Sequence, residues 1–184
     1  MTSLLRFEHV ALRRGGRLLF EGLDLDVQAG GALHLAGANG SGKSSLIRLA
    51  AGLLSPLSGK VDRTRAALAD DNLALDRELP LRGALMFWGG GVDQALEALG
   101  LASLADIPVR FLSSGQRKRA TLARVAAAGA PLWLLDEPLN GLDADSVARL
   151  DALIAGHRAR GGAVVAASHA PLSGDGWHRL ELGR

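Results

Sequence analysis

Eight consecutive residues, Gly37-Ala38-Asn39-Gly40-Ser41-Gly42-Lys43-Ser44, constrain the fold of this chain more than any other segment. They spell G-x-x-x-x-G-K-S, and each fixed residue type has a physical task. Glycines let the backbone curl so that successive N–H groups converge on phosphate oxygens. The lysine reaches the β- and γ-phosphates, and the hydroxyl is a ligand for Mg²⁺. Such a loop works between a buried strand and a helix whose N-terminus faces the anion. Both flanks are present: Ala32-Leu33-His34-Leu35-Ala36 is strand-like, and Ser45-Leu46-Ile47-Arg48-Leu49-Ala50-Ala51 reads as a helix. Gly37 through Ser45 are the expected nucleotide contacts, with Lys43 also acting on the reacting phosphate and Ser44 on the metal.

The rest of the chain supplies the sheet and helices that this loop needs. Residues 4–28 alternate as antiparallel strands do, with Leu23, Leu25 and Val27 on one face and Asp24 and Asp26 on the other. Gly15-Gly16 and Gly30-Gly31 mark turns, Ser55 to Gly59 a loop, and Lys60-Val61 a short strand. Residues 66–80 carry no clear period. Residues 81–104 read as helical, with Val92, Leu96 and Leu99 on one stripe, until Pro108. A helix is expected from Ser114 through Val125, and another over 144–159 carrying Val147, Leu150 and Ile154. Leu132 to Leu135 and Ala163 to Ala167 read as buried strands. Apolar strands alternating with helices predict an α/β fold, a largely parallel sheet with an antiparallel β portion at the N-terminus.

With 184 residues the chain is read as one domain, residues 1–184. A net charge of +2 is too small to predict binding to nucleic acid. The absence of cysteine excludes disulfides, thiolate metal sites and covalent haem attachment. No apolar run approaches the ~20 residues of a membrane span, and charges at Arg6 and Glu8 leave no signal-peptide core. A cytoplasmic protein is expected, acting at a membrane only by docking on another subunit.

Downstream of the loop, Leu132-Trp133-Leu134-Leu135-Asp136 is an apolar strand ending in a carboxylate. Asp136 there is a candidate Mg²⁺ ligand beside Ser44. Glu137 follows, placed to orient and polarise a water attacking the γ-phosphate. Leu112-Ser113-Ser114-Gly115-Gln116 reads first as a helix N-cap, whose hydroxyl, N–H groups and dipole favour an anion. Arg117, Lys118 and Arg119 read as a solvated helix face.

These segments together resemble the ATP-binding cassette (ABC) family. Its signature L-S-G-G-Q is matched at 112–116 save for Ser114, Gly141-Leu142-Asp143 matches its D-loop, and His169 its switch histidine. The resemblance implies a P-loop ATPase core with a short helical subdomain at about 78–128. It implies ATP and Mg²⁺ as ligands, and a homodimer formed on ATP binding. Glu137, His169 and Lys43 would be catalytic, while Ser113, Gly115 and Gln116 would contact ATP held by the partner's phosphate loop. Two features depart from the family. Its adenine-stacking aromatic is replaced by Arg13-Arg14, leaving Arg14 as a stacking guanidinium. Its Q-loop glutamine is missing; Ala69-Asp70-Asp71-Asn72-Leu73 stands there, with Asn72 preferred over Asp71 as the metal- or water-facing group.

The linking sequences Asp106 to Arg119, Ala130 to Pro138 and Val147 to His169 further resemble the ATPases of bacterial cytochrome c maturation, the haem exporter ATP-binding subunits. That resemblance implies an integral membrane partner at the cytoplasmic face of the inner membrane, with hydrolysis driving haem export or release of a haem-loaded chaperone. Two other classes compete. A soluble ABC ATPase of nucleic-acid repair or translation usually carries two cassettes or a long insertion. A P-loop kinase would leave 112–116 and His169 without a task.

Overall fold

A computed structural model describes residues 2–183 of the chain. Strands β1 (Ser3–Arg14) and β2 (Arg17–Gln28) form a hairpin over Gly15-Gly16, and β4 (Ser58–Arg63) pairs antiparallel with the other edge of β1. The second sheet has five parallel strands in the order β5 (Ala66–Ala69), β6 (Leu132–Asp136), β7 (Ala163–Ala167), β3 (Ala32–Ala36) and β8 (Trp177–Glu181). The α-helices are α1 (Lys43–Ala50), α2 (Leu81–Met86), α3 (Val92–Ala98), α4 (Ser114–Ala127) and α5 (Ala144–Ala159), with short 3₁₀ turns at Ala102–Leu104 and Val109–Phe111.

The period of two along β6 and β7 explains how both faces of the parallel sheet are buried. Leu132, Leu134, Ala163 and Val165 pack with Leu46, Ile47, Phe7 and Val10, joining α1 and the antiparallel sheet into one core. Their neighbours Trp133, Leu135, Val164 and Ala166 pack on the opposite side with Leu150, Ile154 and α2–α4. Strands covered on both faces read as continuous apolar runs, which is why 132–135 and 163–167 were legible.

Three expectations need correction. The helix expected over 81–104 is two short helices, because Gly89-Gly90-Gly91 break it and Leu99 caps the second. Within 66–80, Ala66 to Ala69 form the edge strand β5; alanines have little strand propensity, and pairing with β6 decides the conformation. Residues 117–119 are not a solvated face. All three are half-buried, Arg117 donates to the Leu112 carbonyl, and Arg119 to those of Leu99 (3.0 Å) and Gly100 (3.3 Å). The β8 strand lies beyond the last element read from the sequence.

Candidate nucleotide-binding site

The phosphate loop leaves the end of β3 and turns into α1. Gly37 has φ +137°, and a Cβ there would lie 2.4 Å from the Leu182 carbonyl oxygen, so glycine is required. Gly42, at φ +108°, precedes the first helical residue, Lys43. Lys43 is buried and its Nζ donates to the carbonyls of Gly37 (2.7 Å) and Ala38 (3.1 Å). The ammonium is thus held inside the loop by neutral acceptors, which a phosphate oxygen would displace with a stronger, charge-assisted bond. Ser44 Oγ donates to Asp136 Oδ1 at 3.0 Å, uniting the two candidate metal ligands across 92 residues of chain. Hydroxyl and carboxylate are hard oxygen donors of the kind Mg²⁺ takes alongside phosphate and water.

A cavity of about 710 Å³ opens over this loop. Asn39, Gly40, Gly42, Lys43, Ser44 and Ser45 line it from the loop and α1. The antiparallel sheet contributes Arg14, Gly15 and Leu19, and Arg14 Nη1 donates to Ser45 Oγ at 3.3 Å. Glu137 and His169 line it from just past the ends of β6 and β7, with Asn140. Ser41 is buried within the loop, and Gly37 and Ala38 border a neighbouring cavity shared with Ser168 and His169.

Charge and backbone geometry mark the strand ends. Burial pushes the Asp136 carboxyl above the usual aspartate range, against the Ser44 hydroxyl and the Arg48 charge that favour its ionised form. Glu137 has φ +47°, a conformation that costs a non-glycine residue ~1–3 kcal/mol and tends to persist at functional sites. Its N–H donates to the Ala167 carbonyl at 2.8 Å, and its Oε1 lies 3.3 Å from His169 Nε2. Strands β6 and β7 are neighbours, so their ends bring Glu137 and His169 together.

The other predicted residues lie outside this cavity. Ser113 caps α4 in a reciprocal box: Gln116 N–H donates to Ser113 Oγ (3.3 Å), and Ser113 N–H to Gln116 Oε1 (2.7 Å). The Gln116 side chain is therefore engaged within its own helix, while Ser113 is exposed and Gly115 half-exposed at the helix N-terminus. Asn72 is exposed and turned onto Asp70, which accepts from its N–H (3.0 Å) and its Nδ2 (3.1 Å). Sequence reasoning missed Leu19, Asn140 and Lys118. Asn140 sits one residue before Gly141, where proximity to the D-loop was the available signal. Lys118 had none: burial lowers its pKa, opposed first by Asp71 and then by Asp136 and Glu137, so it shares the field of the site's carboxylates.

Residues 20–140 match the family model described as ABC transporter. A relative from Novosphingobium aromaticivorans, the cytochrome c biogenesis ATP-binding export protein CcmA, is 62% identical over 168 residues, covering 89% of this chain and 87% of its own. The CcmA proteins of Sphingopyxis alaskensis and Zymomonas mobilis are 56% and 50% identical, each over 94% of this chain and over 93% and 81% of their own lengths. Among solved structures, an ATP-binding subunit of an ABC transporter superposes with TM-score 0.83 at 21% identity, over 90% of this chain and 79% of that one. A nucleotide-free ATP-binding cassette gives 0.75 at 20% identity, over 91% and 82%. Those two likenesses support the fold, and the sequence relatives carry the assignment further. The chain belongs to the ABC transporter ATPases and, within them, to the CcmA family of cytochrome c biogenesis ATP-binding export proteins.

Proposed function

We propose that this chain is the ATP-hydrolysing subunit of a transporter complex that powers cytochrome c maturation, by haem export or by release of a haem-loaded chaperone. The observation that carries this reading is the convergence of Lys43, Ser44, Glu137 and His169 on one cavity, with Asp136 hydrogen-bonded to Ser44 beside it. In it the loop N–H groups and the dipole of α1 receive the phosphates, and Lys43 leaves the Gly37 and Ala38 carbonyls for the γ-phosphate. Ser44 and Asp136 would hold Mg²⁺, which when bound would neutralise charge on the transferred phosphoryl group. Glu137 orients and polarises the attacking water, and His169 hydrogen-bonds Glu137 and the γ-phosphate. Arg14 takes the place of the family's adenine-stacking aromatic and Asn72 that of its Q-loop glutamine.

The site is completed by a second copy. Ser113 is exposed and Gly115 half-exposed at the N-terminus of α4, and neither lines its own protomer's cavity, as suits residues that reach the nucleotide of a partner. Residues 78–128 act as the helical subdomain. There Met86, Phe87 and Phe111 are 66%, 84% and 66% exposed, large apolar side chains that favour docking of an integral membrane subunit. No helix among the described residues is long and apolar enough to cross a membrane. The proposed place of the chain is that of a peripheral subunit at the cytoplasmic face of the inner membrane.

Steady-state ATPase measurement on Glu137→Gln tests the assignment. The variant should bind MgATP with near-native affinity and lose hydrolysis by about 10²–10⁴-fold, the range for a positioned general base. Hydrolysis at the native rate would remove Glu137 from this role.

A further inference from the structure

Asp70 and Arg124 are buried charged side chains that lie outside the nucleotide cavity. Holding either charge away from water is costly unless something compensates it. Arg124, in the third turn of α4, is 6% exposed and touches two other segments. Its Nη2 donates to the Leu68 carbonyl of β5 at 2.7 Å, its guanidinium carbon lies 4.6 Å over the Trp88 ring, and its Nε has no hydrogen-bond partner. Leu68 is two residues from Asp70, the acid whose field opposes the desolvation of Arg124. Asp70 accepts both nitrogens of Asn72, so the Asn72 carboxamide oxygen is the end left free for a metal-bound or attacking water.

We propose that Arg124 is a positioning residue for the 70–72 turn. By tying the end of β5 to α4 through the Leu68 carbonyl, it sets where the Asn72 carboxamide stands relative to Ser44 and Asp136. Trp88 adjoins the exposed Phe87, and their rings meet edge to face at 5.4 Å. A partner that moves this segment therefore moves the support of Asn72. The inference rests on the proposed role of Asn72 in hydrolysis.

ATPase kinetics on the full chain test it with Arg124→Lys, Asn72→Ala and their double variant. Lysine keeps the charge and loses the planar fork that bonds a carbonyl while lying on a ring. Arg124→Lys should lower kcat about tenfold and leave KM for ATP within about twofold of the native value. It should add nothing to the loss already caused by Asn72→Ala, because both act through one group. Trp88→Leu should show a smaller loss with the same pattern, and replaces Arg124→Lys in the cycle if that variant does not fold. Losses that multiply in the double variant, an unchanged kcat, or a KM rise matching the fall in kcat would overturn the proposal. An Asn72→Ala variant with native kcat would instead refute the role of Asn72 itself.

Discussion

Glu137 and Gly37 show how single positions carry the site. Glu137 holds a positive φ because its N–H is pinned to Ala167, which keeps its carboxylate beside His169. At Gly37 an added methyl would meet the Leu182 carbonyl in a backbone region hostile to side chains. Gly37→Ala should therefore cost about 2 kcal/mol or more of stability and weaken ATP binding, read from urea unfolding with and without MgATP. His157 belongs to none of the nucleotide-binding motifs, and the structure makes it a core group. It stacks on Trp133 at 3.9 Å between centroids and 9° between planes, with Nε2 3.2 Å from the Pro131 carbonyl. Burial lowers its pKa from the ordinary 6.5. The unfolded chain then binds the proton more readily than the folded one, so stability is full above pH 6.5 and falls as pH drops toward the folded pKa. Thermal unfolding between about pH 7 and 5 should show that loss, and a His157→Phe variant should show less of it.

Elements were legible where burial was complete and obscure where pairing or glycine decided. Strands β6 and β7, covered on both faces, announced themselves as apolar runs. The alanine-rich β5 becomes a strand only by lying against β6, and three consecutive glycines break the 81–104 stripe in two. The phosphate loop, Asp136 and Glu137 could be placed by chemistry and spacing. Leu19 and Lys118 reach the site's surroundings from other elements, and local sequence holds no record of that approach, whereas Asn140 had only its place beside Gly141 as a signal. Helix α4 carries a structural cap at its first turn, and the proposed shared site would add an intermolecular task there. Ser113→Ala removes the cap and should cost about 1 kcal/mol by urea denaturation, whatever the nucleotide does. Gly115→Ala separates the two tasks. A methyl there meets within its own protomer only the Gly141 carbonyl oxygen at an ordinary 3.5 Å, so the melting temperature should be unchanged while hydrolysis falls.

For the whole molecule, the arrangement makes sense as half of a machine. Lys43, Ser44, Asp136, Glu137 and His169 gather beyond the C-terminal ends of the interior strands β3, β6 and β7, while the first turn of α4 does not line that cavity. Two copies placed head to tail would bring each cap onto the other's nucleotide, and hydrolysis would let them part. Met86, Phe87 and Phe111 are exposed, and on the proposed reading they are the surface through which a closing motion would reach a membrane subunit. Light scattering on Glu137→Gln, with and without saturating MgATP, tests this account at its centre. The mass should double with ATP, and a Lys43→Ala change in the same background should keep it at one subunit. A Glu137→Gln protein that binds ATP and still scatters as a monomer would contradict the shared site.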